Sequence, residues 1–377
     1  MKINKFIPLT EIFPKIEDPR SAHGRRHRLD VVLLMCIMAI MGGYTSYRGM
    51  GRFFKNNKRD FQEYFDLPHG VPCYVTIREI LQSIDFDNFS KLFNQWAMQY
   101  VPMCKGDTKA GDGKGIGSTT SNAHNSFQNF VSLVSIFSSK RGIVLYCGKI
   151  ENKKESEIPK IRELIIALDV KGELFTLDAL HCQKKTLETI FETENHYIVQ
   201  IKGNQPNLLE QVKINTSNEK AYVSYFEEVT NARGRKEIRK TFIYKDISGI
   251  SSEWVGVKRL IRVERTVITK KKTTHETSYY MSSASSNKAS FFAKHIRNHW
   301  GIENRLHWVK DVSMNEDKSK TRGGMAAENI SILRNIVINL FRTNGYDSIK
   351  YATEVCNNNF KELTRLIYCK PVIRKIA

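Results

Sequence analysis

The stretch Leu174-Phe175-Thr176-Leu177-Asp178-Ala179-Leu180-His181-Cys182-Gln183-Lys184-Lys185 decides the fold of this 377-residue chain. Residues 174–180 are a short apolar segment, which predicts a strand, and Asp178 is the acid within it. This acid requires an explanation, because carboxylates are rarely buried without a partner. The residues leave two explanations open: a strand-end acid that caps the next helix or pairs with Lys184 or Lys185, or a carboxylate that carries out chemistry.

Strand and helix patterns alternate on both sides of this stretch. The predicted elements, in chain order, are a first strand that leads to Asp112, strands at 129–138 and 142–150, a helix at 155–168, the strand described above, a helix at 183–194 and a strand at 196–202. This order predicts an α/β fold with a mixed sheet flanked by helices. It is compatible with a ribonuclease-H-like core, which the order alone does not separate from several other α/β folds.

The parts outside this core have different patterns. Residues 8–100 have apolar residues at helical spacing and no strand alternation, whereas residues 222–281 are rich in strand formers among many Lys and Arg. We therefore predict four segments: an all-helical N-terminal domain at 1–104, for which the charge described next predicts DNA binding, the first part of the core at 105–215, a β-rich insertion at 216–286, and the core completion with a helical C-terminal region at 287–377.

The composition favours a polyanionic partner. The chain has 59 Lys and Arg against 39 Asp and Glu, a formal net charge of +20. Nucleic acid is the leading candidate, since basic side chains displace counterions from a phosphate backbone. A soluble basic protein without such a partner is the alternative. The charge runs 24–28, 234–239 and 270–272 are the main DNA-binding candidates, and solvated surface is their alternative interpretation; the residues predicted from them are Arg25, Arg26, Arg28, Arg235 and Arg239.

Other site classes are not favoured. The seven cysteines form no CxxC pair, so structural zinc and a disulfide framework are not expected. The apolar residues 31–41 are too short for a membrane span, which needs roughly 20 residues. We therefore expect no membrane contact and a cytoplasmic, nucleoid-associated protein. His181 and Cys182 lie close to Asp178, but no partner base for a nucleophile is evident.

Several strings resemble one family when they are read together. They are Asp112-Gly113-Lys114, residues 129–135, residues 176–185, Lys202-Gly203-Asn204-Gln205 and His299-Trp300-Gly301-Ile302-Glu303-Asn304. The chain resembles the ISAs-type insertion-sequence transposases, also called H-repeat-associated proteins, over almost its whole length. The resemblance implies a ribonuclease-H-like fold, bound Mg²⁺ for which Mn²⁺ substitutes, and a metal-binding catalytic triad at Asp112, Asp178 and Glu303.

The resemblance also implies substrates and partners. We expect metal-dependent cleavage and strand transfer at the inverted-repeat ends of an insertion sequence, with target DNA as second substrate and a homodimer in the DNA complex. Members usually carry an apolar residue before the first Asp and Ser or Thr, then a basic residue, after Asp-Gly-Lys. Here these positions are Gly111, Gly115 and Gly117. Glycine weakens a strand interior, so a catalytically decayed DNA-binding protein is the alternative. A free-standing nuclease would explain neither the insertion nor the basic N-terminal domain.

Further residues are predicted around Glu303. Lys310 follows at i+7, nearly on the same face of a helix, and could hold a phosphate oxygen as a fourth catalytic residue. A surface lysine is the alternative. In a broader related group an Arg position falls on His299, for which Arg297 could substitute.

The remaining predictions concern DNA contacts and the third acid. The DNA-contact predictions beyond the charge runs are Lys114, Lys184, Arg297 and Trp300. Trp300 and Trp308 could stack on an extruded base, or pack in the core. Asp311, Glu316 and Asp317 compete with Glu303 for the third carboxylate role.

Overall fold

The computed structural model describes residues 6–120, 130–151, 156–218, 221–232 and 234–368. The predicted helical N-terminal region is present, with helices α1 (Leu9–Ile12), α2 (Leu29–Met41), α3 (Tyr47–Asn56), α4 (Lys58–Tyr64), α5 (Tyr74–Ser83) and α6 (Phe86–Met98). Almost every residue of α2 is buried, as its unbroken apolar sequence requires. The Asp85 side chain caps α6 by accepting from the Asn88 amide.

The predicted alternation of strands and helices follows. The elements are β1 (Thr108–Gly115), β2 (Val131–Ser138), β3 (Ile143–Glu151), α7 (Glu157–Leu168), β4 (Leu174–Leu177), α8 (Lys184–Glu192), β5 (His196–Ile201) and α9 (Pro206–Asn215). Residues 129 and 155, where two predicted elements begin, lie outside the described residues. Asp112 lies within β1 and not after it, while Asp178 is the first residue after β4. The order of the elements is the one predicted for the core.

The β-rich insertion is a meander of four long strands. These are β6 (Ser224–Ala232), β7 (Arg235–Tyr244), β8 (Arg259–Thr269) and β9 (Thr273–Ser282), each antiparallel to the next. β9 pairs antiparallel with β5. The insertion therefore extends the core sheet to nine strands in the order β3-β2-β1-β4-β5-β9-β8-β7-β6. β1, β4 and β5 are parallel, whereas β2 and β3 form an antiparallel hairpin. The predicted mixed α/β fold, with a helical N-terminal region and a β-rich insertion, is confirmed.

The C-terminal part is helical and contains an irregular section. α10 (Ala289–Ile302) continues into two π-helical turns, Glu303–His307 and Val309–Ser313. α11 (Ala326–Thr343), α12 (Ile349–Asn357) and α13 (Phe360–Tyr368) follow. α11 is buried along almost its entire length. Because π-helical turns are rare and occur frequently at functional sites, the section that starts at Glu303 is a candidate for function.

The described residues divide into two units. The first draws on residues 1–104, 113–157 and 303–377, and in it α2, α5 and α6 pack on α11 while α6 and α11 pack on β3. The second draws on residues 105–112 and 158–302. Its core places α10 against the sheet through the buried residues Leu174, Ile198, Ile243, Ile261, Ala289, Phe292 and Ile296. Each unit therefore has a hydrophobic core of its own.

The glycines of β1 are accommodated by close packing. A Cβ on Gly111 would lie 2.8 Å from Ile161 Cδ1 and 3.0 Å from Leu177 Cδ2. A Cβ on Gly115 would lie 3.1 Å from a ring carbon of Phe130, whereas nothing lies within 4 Å at Gly117. β1 is formed and paired with β4 despite its glycines. At Gly111 the neighbours occupy the space that a side chain would fill.

Candidate active site

Two of the predicted carboxylates lie where the strand β4 ends. The register of the parallel strands β1 and β4 ends with Gly111 opposite Leu177. Asp112, within β1, and Asp178, the first residue after β4, are the next residues of the chain. Both acids are partly exposed. Their backbones are therefore neighbours at the carboxyl end of β4.

Asp178 also has a local structural role. Its Oδ1 accepts the amides of Leu180 at 3.1 Å and His181 at 3.4 Å, which caps a short 3₁₀ turn over Ala179–His181. Asp178 therefore acts as a cap, in this case of a 3₁₀ turn. Capping uses only one of its two carboxylate oxygens. Burial raises the pKa of the Cys182 thiol to about 12, which keeps it protonated at neutral pH. This agrees with the expectation that Cys182 is not a nucleophile.

The third predicted carboxylate begins the first π-helical turn. Glu303 has a side chain that is 56% exposed, and His307, one turn later, is buried with Nδ1 3.4 Å from Glu303 Oε2. Glu303 and His307 each offer a ligand atom for a metal ion, and both belong to the first unit. Asp112 and Asp178 belong to the second unit.

His307 was not predicted from the sequence. Its position at i+4 from Glu303 was available as a signal, since side chains four residues apart face each other on a helix. The specific string around Glu303 ends before residue 307, so it gave no reason to single out this histidine.

Lys310 does not lie where the helical spacing predicts. It is 2% exposed, and its Nζ donates to Ser331 Oγ at 2.5 Å. A π-helical turn holds more residues than an α-helical turn, so seven residues no longer complete two turns and Lys310 leaves the exposed face of Glu303. Burial lowers the pKa of Lys310, and the nearby Lys114 and Arg334 charges lower it further. Lys310 was predicted to contact a DNA phosphate, but in the structure its ammonium group contacts Ser331 inside the protein.

The partner of Lys310 is Glu316, a predicted rival for the third carboxylate role. Glu316 is fully buried, with Arg334 at 3.1 Å and Lys310 at 3.6 Å from Oε1 and Lys114 at 3.5 Å from Oε2. Burial alone would raise its pKa, but Lys310, Arg334 and Lys114 bring it down to about 2. Ser331 donates a further hydrogen bond to Oε1 at 2.7 Å. Glu316 is therefore an internal counter-ion.

Lys114 is part of the same cluster and is not placed for DNA. It is 9% exposed, and its Nζ lies 2.6 Å from Asp311 and 3.6 Å from Asp317. The prediction that Lys114 contacts DNA is corrected, because its ammonium group is held among three carboxylates. Asp311 is half-buried in this contact, and burial raises its pKa. Asp317 has a side chain that is 60% exposed.

The other predicted DNA-contacting residues lie on the surface. Arg26 is exposed, and Trp300 and Trp308 are 58% and 55% exposed, so the core-packing alternative for the two tryptophans is wrong. The remaining cations pair with acids: Arg25 with Asp18, Arg28 with Asp30, Lys184 with Glu253, Arg235 and Arg239 with Glu237, and Arg297 with Glu228. His299, at the related Arg position, lies 3.1 Å from Thr176 Oγ1 through Nδ1.

A mixed sheet with two acids at the carboxyl end of one of its parallel strands is an α/β architecture with a candidate site for a cation. The transposase DDE domain model matches residues 101–340 and the DDE_Tnp_1-associated model matches residues 10–97. The chain belongs to the DDE-domain transposase family, and its resemblance to the H-repeat-associated proteins is confirmed.

The alignments with two relatives and with one solved structure cover most of the chain. The chain is 33% identical to the putative protein YbfL of Escherichia coli K12, covering 90% of this chain and 91% of the relative. It is 32% identical to the H repeat-associated putative transposase YhhI of the same strain, with 90% and 91% covered. A piggyBac transposase synaptic complex with hairpin DNA aligns at a TM-score of 0.45 and 11% identity, covering 97% of this chain and 78% of that one. Among the helices that the structure describes, none is long and apolar enough to cross a membrane.

Proposed function

We propose that this transposase cleaves DNA and joins strands at the ends of an insertion sequence, with Asp112, Asp178 and Glu303 as its metal-binding carboxylates. The observation that carries the proposal is the register of β1 and β4, which ends with Gly111 opposite Leu177, since the next residue of the chain at both positions is an acid, Asp112 and Asp178. The exposed carboxylate of Glu303, 3.4 Å from His307, supports the third member of the triad.

The donor atoms fit a hard divalent cation. Carboxylate oxygens are the ligands that Mg²⁺ and Mn²⁺ prefer, and an imidazole nitrogen suits the softer metals and is compatible with Mn²⁺. We propose Mg²⁺ as the cofactor and expect Mn²⁺ to substitute for it. When bound, such a cation stabilises negative charge on a phosphoryl oxygen and lowers the pKa of water. The Glu303 carboxylate is exposed and therefore accessible to a metal ion from solvent.

The chemistry consists of two displacements at phosphorus. In the first, a water oxygen bonds to the phosphorus at the transposon end and the bond to the 3′ oxygen breaks, which leaves a 3′-hydroxyl. In the second, this hydroxyl bonds to a phosphorus of target DNA and displaces another 3′ oxygen. Both steps are in-line displacements at phosphorus, so one set of carboxylates serves them in turn.

The surface cations would hold the DNA. We propose that Arg25, Arg26 and Arg28 of the N-terminal domain, with Arg235 and Arg239 of the insertion, contact the inverted repeats, and that Lys184, Arg297 and Trp300 lie closer to the cleaved strand. Several of these cations pair with a carboxylate in the free protein, and DNA phosphates would replace those partners. We expect two copies of the chain to bring the two ends together.

Cleavage of labelled inverted-repeat DNA in Mg²⁺ tests the proposal. The DNA that flanks the gene supplies the repeats. The wild type should cleave at the repeat ends, whereas Asp178→Asn should bind the same DNA without cleaving it. If neither protein cleaves although both bind, the chain is a DNA-binding protein that has lost catalysis, and the proposed reaction is wrong.

A further inference from the structure

A basic cavity lies beside the segment that carries Asp178. It measures about 400 Å³, in the range of small-ligand sites, and its lining residues are Ile158, Arg162, Gln183, Lys184, Lys185, Gln205 and Trp254. All of them belong to the second unit. The three cations, two side-chain amides and one indole of this lining are groups that recognise a nucleotide. Cations bind its phosphate, amides form hydrogen bonds with the polar edge of its base, and an aromatic ring stacks on the base.

The wall of this cavity is fixed by the core. The loop between β7 and β8, which carries Trp254, is held by the hydrogen bond that Tyr197 donates to the Val255 carbonyl at 2.7 Å. At Gly256, where φ is +75°, a Cβ would lie 2.5 Å from the ring of Phe191 in α8, so the loop packs closely on that helix. Trp254 itself is only 7% exposed. The cavity therefore exists before any ligand arrives.

The lining residue Gln205 and its neighbour Asn204 are hydrogen-bonded to the segment that follows Asp178. Asn204 donates to the Ala179 carbonyl at 2.7 Å, and Gln205 donates to the Cys182 carbonyl at 2.9 Å. These bonds link the cavity to the 3₁₀ turn that Asp178 caps. The cavity is thus connected through two hydrogen bonds to the turn that a proposed catalytic carboxylate caps.

An acid of the protein already engages one of the cavity's cations. Glu253, next to Trp254, forms an ion pair with Lys184, and the Lys184 ammonium lies 5.9 Å from the centre of the Trp254 ring. Both partners of the ion pair are about half exposed or more. Glu253 therefore stands where an anionic ligand of Lys184 would stand.

We propose that this cavity binds a phosphate group of the DNA strand that is cleaved, and that Glu253 competes with that phosphate for Lys184 in the free protein. The choice of DNA as the source of the phosphate rests on the proposed function. The cavity's excess of positive charge is independent of the proposed function, because Arg162 and Lys185 add to Lys184 and none of the lining residues named above is an acid.

Binding of a fluorescent single-stranded oligonucleotide in EDTA tests this inference without a contribution from metal or cleavage. Lys185→Gln should weaken binding by about threefold to tenfold and reduce the log–log salt slope by about 0.7. Glu253→Gln should tighten binding by about twofold to fivefold, since it removes a competitor. The exposed pair Lys171 and Glu194 of the same unit supplies matched controls. Lys171→Gln and Glu194→Gln should leave binding unchanged.

Competition distinguishes the sources of the phosphate. Inorganic pyrophosphate should change the tryptophan fluorescence of the wild type and not that of Trp254→Phe, and the oligonucleotide should displace it. If pyrophosphate binds but the oligonucleotide does not displace it, the cavity takes a free anion and the inference is wrong. Weaker binding by Glu253→Gln, or equal effects of Lys185→Gln and Lys171→Gln, would also overturn it. Loss of cleavage with these binding results intact would contradict only the proposed function.

Discussion

The strand edge at Asp112 and Asp178 and the segment 311–317 both carry several carboxylates, but the protein treats them in opposite ways. At the strand edge the two acids each follow a residue of the last register pair of β1 and β4, both are partly exposed, and Asp178 accepts only backbone amides in the hydrogen bonds described. In the segment, Glu316 is buried among Lys114, Lys310 and Arg334. Carboxylates that cations already neutralise add little to a metal site, because the same cations repel the metal. This difference is why we propose that Asp112 and Asp178 bind the metal, whereas Glu316 stabilises the fold.

The largest expected effect tests this difference by replacing single carboxylates with their amides and measuring cleavage. Glu303→Gln should lower the cleavage rate by at least about a thousandfold, because several kcal/mol of charge stabilisation depend on a metal ligand. Asp317→Asn should leave the rate within about twofold of the wild type, since its carboxylate already faces Lys114 and surface contacts contribute little. Rates of nicking on labelled repeat DNA decide this. Equal losses in the two variants would mean that the proposed metal-binding carboxylates and those of the segment 311–317 are not distinct.

The second prediction concerns stability. Glu316→Gln leaves Lys310 and Arg334 buried without their carboxylate, which should lower the free energy of unfolding by about 3 to 5 kcal/mol. Glu303→Gln should change it by less than about 0.5 kcal/mol, because the side chain is largely exposed. Urea unfolding followed by circular dichroism measures both. A stable Glu316→Gln protein would show that the cluster is not structural.

The third prediction is a pH dependence. The folded-state pKa of Glu316 is about 2 against an ordinary value of 4.5, so its ionised form stabilises the fold above pH 4.5 and that stabilisation disappears as the pH falls towards 2. The loss should amount to about 3 kcal/mol over this window. Unfolding free energies at several pH values should therefore fall more steeply in the wild type than in Glu316→Gln. Parallel curves for the two proteins would contradict this account of the cluster.

The smallest expected effect concerns the glycines before and after Asp112. Gly111→Ala places a Cβ against Ile161 and Leu177 and should cost about 1 to 3 kcal/mol of stability. Gly117→Ala meets nothing within 4 Å and serves as the matched control. Thermal unfolding of both variants checks this. If Gly111→Ala is as stable as the control, close packing does not explain the glycine. The alternative, that Gly111 belongs to a catalytically decayed protein, would then be favoured.

The order of the core elements could be predicted from the sequence because its signals are local. An acid in an apolar strand, followed by a helix pattern, is visible in about ten residues, and the strand order follows from the same alternation. The Lys310 position was mispredicted because seven-residue spacing assumes a regular α-helix, and no local pattern announced the π-helical turns after Ile302. Glu316 is an internal counter-ion because it pairs with Lys114 and Arg334. Lys114 is distant from it in sequence, and no local pattern connects these residues, so the role of Glu316 could not be predicted from the sequence.

The most direct test of the central claim is a titration of the metal-free protein with Mn²⁺, followed by electron paramagnetic resonance. The account predicts that the wild type and Asp317→Asn bind Mn²⁺ alike, and that Asp112→Asn and Glu303→Gln bind it at least about tenfold more weakly. Loss of Mn²⁺ binding in Asp317→Asn, together with unchanged binding in Glu303→Gln, would place the metal in the segment 311–317 and contradict the account.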